Sequence, residues 1–249
     1  MSKLEFDFEP LNKVLEGKEI TKNDAYEVFS HSKYNPEKIF KIASNLRNHH
    51  KGKVVSFSKK AFFNIVNLCR DTCSYCTYKA EMGESKLSMM NIDDVKKLAK
   101  SAAKLKCIEA LLVTGESPEQ KYDEAAKWLR KNGFSSTGEY LAHCSELVLS
   151  EGLFPHTNAG NLNKSEMNDL KKTNVSMGLM LENSSHRLSE KGMAHHDAPS
   201  KNPKARIKIL KNAGELKIPM TTGILVGIGE NDHEIIDSLF TIKSIHGKF

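Results

Sequence analysis

The 249 residues predict an α/β fold: a parallel sheet wrapped by helices as a partial (βα) TIM-type barrel, behind a helical amino-terminal extension. Three observations carry that prediction. Short apolar runs alternate with amphipathic stretches from residue 62 onward, the pattern of repeated βα units. Glycine-rich and polar clusters follow those runs, where the carboxyl ends of parallel strands gather ligand-binding loops. The first 55 residues show helical periodicity and no catalytic constellation.

Taken in order, residues 1–55 form the extension and residues 56–249 the core. Thr21-Lys22-Asn23-Asp24 can cap a helix through Ala25, Val28 and Phe29, and Asn35-Pro36 marks a break before a second helix through Ile39, Ile42, Ala43 and Leu46. Strands are expected at Phe62–Leu68, Ile108–Val113, Leu153–Asn158, Val175–Leu181 and Ile218–Ile228. Helices are expected near Asp93–Leu105, Tyr122–Lys131, Tyr140–Ser150, Ser165–Lys172, Lys204–Leu216 and His233–Ser244. The chain stops at His246-Gly247-Lys248-Phe249, just after the helix that follows the fifth run. Later strands are therefore expected to be absent, leaving an incomplete barrel with an unpaired apolar edge.

A hydrophobic content of 39% beside 27% charged residues is ordinary for a soluble globular chain. No apolar run approaches the length of a membrane span, and Met1-Ser2-Lys3-Leu4-Glu5 lacks a signal-peptide core, so a cytoplasmic protein with no membrane partner is expected. The net charge of +6 comes from lysines such as Lys96, Lys97, Lys100, Lys104 and Lys106, interleaved with apolar residues. Charge spread in this way is a solvated face and predicts no nucleic-acid partner. Five cysteines, three of them clustered, argue against a disulfide framework and suit a reducing compartment.

The clustered cysteines are Cys69, Cys73 and Cys76, in the run Cys69-Arg70-Asp71-Thr72-Cys73-Ser74-Tyr75-Cys76 directly after the first expected strand. Three thiolates at this spacing can wrap one face of a [4Fe-4S] cluster and leave the fourth iron open to a small molecule. The spacing also admits two other readings. Positions i, i+4 and i+7 share a helical face, as three buried structural cysteines would, and a zinc site could draw a fourth ligand from Cys107, His143 or Cys144.

Each later strand end adds polar groups. In Thr114-Gly115-Glu116-Ser117-Pro118 a glycine lets the backbone approach a ligand and Glu116 places an anion beside it, although such residues also form ordinary turns. Pro155-His156-Thr157-Asn158-Ala159-Gly160 puts hydrogen-bonding side chains beside another glycine. Glu182 and Arg187, after the fourth strand, could contact a ligand or pair with each other. In Gly192-Met193-Ala194-His195-His196-Asp197-Ala198-Pro199, the His195, His196 and Asp197 group can donate, accept or shuttle protons near neutral pH, which suits substrate contact. The glycines Gly223, Gly227 and Gly229 weaken the fifth strand unless something must come close to it.

The cysteine run, with Tyr75 as the aromatic before its third cysteine, resembles the radical S-adenosylmethionine (SAM) signature, and Gly115-Glu116 looks like that superfamily's Gly-Gly-Glu-type element. Asn67-Leu68-Cys69-Arg70-Asp71, Pro155 to Gly160, Ser176 to Glu182 and Thr221 to Glu230 together resemble the first radical SAM subunit family of FO synthase, over roughly residues 56–249. FO is 7,8-didemethyl-8-hydroxy-5-deazariboflavin, the chromophore of coenzyme F420. The resemblance implies a [4Fe-4S] cluster on Cys69, Cys73 and Cys76, with SAM on the fourth iron and reductive cleavage to a 5'-deoxyadenosyl radical. SAM contacts would fall to Tyr75, Gly115, Glu116, Asn158, Glu182, Arg187, Gly223, Gly227 and Gly229, and substrate contacts to His156, His195, His196 and Asp197. The implied substrate is the uracil–tyrosine adduct made by a companion radical SAM subunit, and the implied electron donor is a ferredoxin or flavodoxin. One stretch departs from the pattern: Asn231-Asp232-His233-Glu234-Ile235 stands where a threonine and then an arginine are expected.

Overall fold

A computed structural model describes residues 8–33 and 36–249. Five strands, β1 (Lys60–Val66), β2 (Glu109–Thr114), β3 (Phe154–Asn158), β4 (Ser176–Gly178) and β5 (Met220–Thr221), form one parallel sheet in the order β1-β2-β3-β4-β5. The intervening helices are α4 (Ile92–Lys104), α5 (Asp123–Lys131), α6 (Thr137–Ser150), α7 (Lys164–Leu170) and α8 (Pro203–Glu215), and α9 (Asp232–His246) follows β5. Each strand pairs only with its sequence neighbours, the order of an opened βα barrel.

The two faces of the sheet differ. Phe63, Ile65, Ala110, Leu112 and Met177 lie in one buried cluster with Val95 and Ala99 of α4, Leu129 of α5, Leu141 and Val148 of α6, and Leu170 of α7. The alternate residues face the other way, into the concavity. Register aligns Phe62, Leu111, His156 and Ser176 in one row across β1 to β4, and Asn64, Val113 and Asn158 in the row above, which meets Gly178. These inward residues are half-buried or exposed, apart from the buried Gly178.

Three helices precede the sheet: α1 (Glu9–Leu15), α2 (Lys22–Ser32) and α3 (Pro36–Lys51). The expected cap at the start of α2 is present: Asp24 N–H donates to Thr21 Oγ1 at 3.1 Å, and Thr21 N–H donates to Asp24 Oδ2 at 2.8 Å. The expected break at Asn35 and the residues of the amino-terminal signal reading lie outside the described residues. α2 packs against α9 at the far end of the chain. Tyr26 OH donates to Asp237 at 2.5 Å, Lys22 pairs with the same carboxylate, Lys33 pairs with Asp232, and the Tyr26 ring packs at a tilt against that of His233, centroids 4.4 Å apart.

Two expected strands come out shorter. The fourth, Val175–Leu181, reduces to Ser176–Gly178, because Glu182 adopts φ +63° and turns the chain into a loop. The fifth, Ile218–Ile228, reduces to Met220–Thr221 with one further bridge between Glu182 and Ile224. Gly227 and Gly229 have φ +92° and +102°, which end extended structure, and the Glu230 carboxylate accepts the N–H groups of Gly227 at 2.6 Å and Ile228 at 2.8 Å. Helix α6 begins three residues before its expected start, capped by Ser136, whose side chain accepts Glu139 N–H at 3.1 Å. No described helix is long and apolar enough to cross a membrane.

Candidate active site

The cysteine run forms the loop at the carboxyl end of β1, where the sheet places its ligand-binding edge. Its neighbour is the loop after β2. Gly115 N–H donates to Val66 O at 2.7 Å, Arg70 N–H donates to Glu116 O at 3.0 Å, and Glu116 N–H points at Cys69 Sγ, 3.2 Å away. A Cβ on Gly115 would stand 1.9 Å from the Leu68 carbonyl oxygen, so only glycine lets the two loops approach this closely. The loop after β3 is tied in next. The buried Glu116 carboxylate accepts Asn161 N–H at 3.0 Å and lies where a Cβ on Gly160 would be, 2.0 Å from Oε2. Gly160 has φ +73°, a second reason for glycine there.

On its other side the cysteine loop is closed by residues 194–200. Thr72 N–H donates to Asp197 O at 2.7 Å and Ser74 N–H to Ala194 O at 3.1 Å, and buried Asp71 accepts the Ser200 hydroxyl. His195, 3% exposed, has Nε2 2.9 Å from Tyr75 OH, and its ring stands edge-on to that of Tyr75. Burial and the neighbouring Lys201 hold the imidazole down at about 4, so it is neutral at physiological pH. His196 and Asp197 lie outward in the same loop, their side chains 3.9 Å apart.

Ion pairs fix the remaining loops. Glu182 and Arg187 do not pair with each other. Glu182 pairs with Lys201 at 2.5 Å, and Arg187 forks onto Glu234, Nε to Oε1 at 2.8 Å and NH2 to Oε2 at 2.5 Å, while NH2 also donates to Gly229 O at 2.7 Å. The 231–235 stretch that departs from the expected pattern is thus a capping box of α9, with Asn231 and Glu234 bonded reciprocally, and Glu234 anchors Arg187. Buried Arg206 on α8 reaches under the site, its Nε donating to Ser200 O at 3.1 Å and NH1 to Met180 O at 2.8 Å. Nothing in the local sequence marks Lys201, Arg206 or Ser200 as part of the site. Apart from the Arg206–Ser200 contact within one stretch, their partners lie about 20 to 130 residues away, beyond the reach of any local pattern.

The Glu234–Arg187 fork has a pH signature. The Arg187 guanidinium beside Glu234 holds its carboxyl down to about 2, against an ordinary 4.5. Because the folded value is depressed, this stabilisation is complete above the ordinary value and is lost as pH falls toward about 2. Urea melts of wild type and Glu234→Gln should therefore differ most near neutrality and converge as pH drops from about 5 toward about 2. A gap independent of pH would show that the fork is not what holds the charge.

Cys69 and Cys73 are partly buried and Cys76 is exposed. Burial pushes the Cys69 thiol up and that of Cys73 up to about 11, so thiolates here require a positive partner. Among the described residues no three His, Cys, Asp or Glu side chains converge on one ion, and Cys107 and Cys144 lie in the apolar core instead. Two of the cysteines and histidines a zinc site could have drawn on thus pack with the core, whereas a cluster would take its cysteine ligands from the loop, one to each iron. The strand-end loops also hold buried polar atoms with no protein partner, Arg70 Nε, Thr114 Oγ1 and Asn161 Oδ1. Unpaired groups of this kind are costly unless something not made of protein joins them.

The fold and the site together are those of an open βα barrel with a loop of three cysteines at the mouth of its sheet. The family model of the radical SAM superfamily matches residues 63–242, and the chain belongs to that superfamily. Among curated relatives it is 42% identical over 197 residues to the 7,8-didemethyl-8-hydroxy-5-deazariboflavin synthase of Methanopyrus kandleri, covering 79% of this chain and 59% of that one. It is 42% identical over 231 residues to the synthase of the same name from Methanococcus vannielii, covering 92% and 64%. The chain thus spans about three fifths of the length of these relatives. Among solved structures, methylornithine synthase superposes with a TM-score of 0.72 at 20% identity over 95% of this chain and 64% of that one. The FeFe-hydrogenase maturase of Carboxydothermus hydrogenoformans does so with 0.78 at 22% over 97% and 53%. At these identities they attest the fold alone.

Proposed function

We propose that this chain carries the radical SAM half-reaction of FO synthesis. A 5'-deoxyadenosyl radical would abstract hydrogen from 5-amino-5-(4-hydroxybenzyl)-6-(D-ribitylimino)uracil, and ring closure with loss of ammonia, a lyase and cyclase step, would give the deazaflavin. The observation that carries the reading is the 42% identity to FO synthases, running through the cysteine loop and the loops around it.

Cys69, Cys73 and Cys76 would hold the [4Fe-4S] cluster, which when bound supplies the electron that cleaves SAM. The chain's own groups arrange that site. Glu116 N–H polarises Cys69 Sγ, and the Glu116 carboxylate, spent on the Asn161 backbone, holds the β3 loop beside it. Tyr75, braced by His195, presents its ring from the cysteine loop. Glu182 and Lys201 form a charged pair on the rim that can exchange onto the hydroxyl or carboxylate groups of SAM. Arg187 fixes Gly229, so the Gly223 to Gly229 backbone is set for a flat base to lie against it. His196 and Asp197 remain candidates for substrate contact.

The division we propose keeps 1–55 as a supporting extension and 56–249 as the catalytic core. The cellular setting is the cytoplasm, which suits unpaired thiols, and the partners are a companion radical SAM subunit supplying the adduct and a ferredoxin or flavodoxin supplying electrons. The test is anaerobic reconstitution with iron and sulfide, reduction, and addition of SAM with the adduct. Deoxyadenosine together with a fluorescent deazaflavin is the expected result. Deoxyadenosine without deazaflavin would move the chain to another radical SAM reaction.

A further inference from the structure

Three carboxylates around the cysteine loop each face a cation. Glu81 pairs with Lys79 at 2.7 Å and Glu182 with Lys201 at 2.5 Å, and Glu116 Oε1 stands 3.8 Å from Arg70 NH2. Asp71 does not. It lies inside the loop, two residues from Cys69 and two from Cys73, is 2% exposed, and has no ion-pair partner among the described residues. Its carboxylate is met by one neutral residue, which brings the Ser200 hydroxyl to Oδ2 and the Ser200 N–H to 3.4 Å from Oδ1.

Ser200, itself buried, is fixed in turn. Its carbonyl accepts Asn161 Nδ2 at 2.9 Å and Arg206 Nε at 3.1 Å, and Arg206 also holds Met180 O at 2.8 Å. A buried carboxylate without a cation is costly, and an amide in its place could accept the same hydroxyl at less cost. The charge itself therefore needs a reason.

The proposed chemistry supplies one. It asks the cluster to give one electron to a sulfonium, a poor acceptor, so the cluster must be a strong reductant. A cluster's potential follows its net charge, the hydrogen bonds to its sulfurs and its exposure to water. The Glu116 N–H, 3.2 Å from Cys69 Sγ, favours the electron-rich state and makes the cluster a weaker reductant. A fixed anion in the ligand loop acts the other way, because it repels the added electron, and burial strengthens the repulsion. Arg206 and Lys201 offset part of that field, but taking the anion away moves the potential upward whatever the cations contribute.

Resting on the cluster placement proposed above, we infer that Asp71 sets the reducing power of the cluster through its standing negative charge, which Ser200 holds in place. Asp71 acts on the reaction only through the cluster.

The test is an anaerobic redox titration of the reconstituted protein, followed by the electron paramagnetic resonance of the reduced cluster and run without SAM. Asp71→Asn removes the charge and keeps an acceptor for the Ser200 hydroxyl. Ser200→Ala keeps the charge and removes the hydroxyl. At the potential where half of the wild-type cluster is reduced, the reduced-to-oxidised ratio in Asp71→Asn should be about tenfold higher, an upward shift of about 59 mV for one electron. Ser200→Ala should show no rise. Asp71→Ser, a second neutral variant, should rise as Asp71→Asn does, so the result does not hang on how one amide fits the loop. A wild-type potential in both neutral variants overturns the inference, as does an equal rise in Ser200→Ala, which would trace the shift to a displaced loop. Failure of both neutral variants to take up a cluster also overturns it, by making Asp71 a residue of cluster assembly. A wild type that takes up no cluster sinks the inference together with the cluster placement.

Discussion

Cys73→Ala is expected to abolish 5'-deoxyadenosine formation while leaving the fold standing. The cysteine occupies the middle of the loop, flanked by two backbone anchors, Thr72 N–H to Asp197 O and Ser74 N–H to Ala194 O, neither of which uses its side chain. Removing one of three thiolates leaves an iron without its protein ligand, and a cluster so held is lost or cannot keep its open position. The variant should therefore melt within a few degrees of wild type before reconstitution, take up little iron and sulfide, and yield deoxyadenosine no faster than a protein-free blank. Deoxyadenosine at the wild-type rate would remove the cysteine loop from the chemistry.

The second large effect concerns a glycine that holds two loops together by having no side chain. Gly115→Ala forces a methyl to within 1.9 Å of the Leu68 carbonyl oxygen and 2.8 Å of Cys69 Cβ. The obstacle is backbone at the end of β1, so no rotamer change relieves it. Either the β2 loop or the cysteine loop must move, breaking Gly115 N–H to Val66 O or Arg70 N–H to Glu116 O. Overpacking against backbone at a buried junction should cost about 3 kcal/mol, the upper end of the usual range, because backbone rather than a side chain must yield. In a domain of this size that lowers Tm by on the order of 10 °C. The useful readout is the pairing of effects, since the same displacement pulls Glu116 N–H away from Cys69 Sγ. A variant as stable as wild type and with a full cluster would show that the close approach is not rigid.

Strands β1 to β3 and the helices around them were legible because each element repeats a pattern at its own period: apolar runs bounded by turns, and amphipathic helices between. Helix α6 shows how much of the boundary error was avoidable. Its Ser136 and Glu139 stand at cap spacing in the sequence, three residues before the place where apolar periodicity alone starts the helix. The short β4 and β5 were less legible. Leu179, Leu181 and Ile224 are as apolar as strand residues, but Glu182 in a left-handed conformation and the turns at Gly227 and Gly229 bend the chain into loops.

Within the site, the cysteines and the glycines beside them could be read from spacing, because chemistry on a single loop leaves a local signature. The charges that surround them could not. Glu182 with Lys201, Arg187 with Glu234 and Asp71 with Ser200 are pairings across the barrel mouth, set by which strand ends meet in space, and no periodicity records them.

The clasp of residues 194–200 on the cysteine loop also has a bearing on how the protein is made. Tyr75 meets His195 across 120 residues and Asp71 meets Ser200 across 129, so the loop holding the three thiols is among the earliest parts of the core to be synthesised and among the last to be closed. Closing so long an interval carries an entropic cost that only a largely formed half-barrel repays. Until then the thiols stand in an open, solvent-filled cleft. Iron and sulfide delivered early would find three reactive cysteines without their shelter, and delivered late they would find a finished cradle. The distance between the two halves of the clasp thus separates the synthesis of the thiols from the closing of their shelter by about half of the chain.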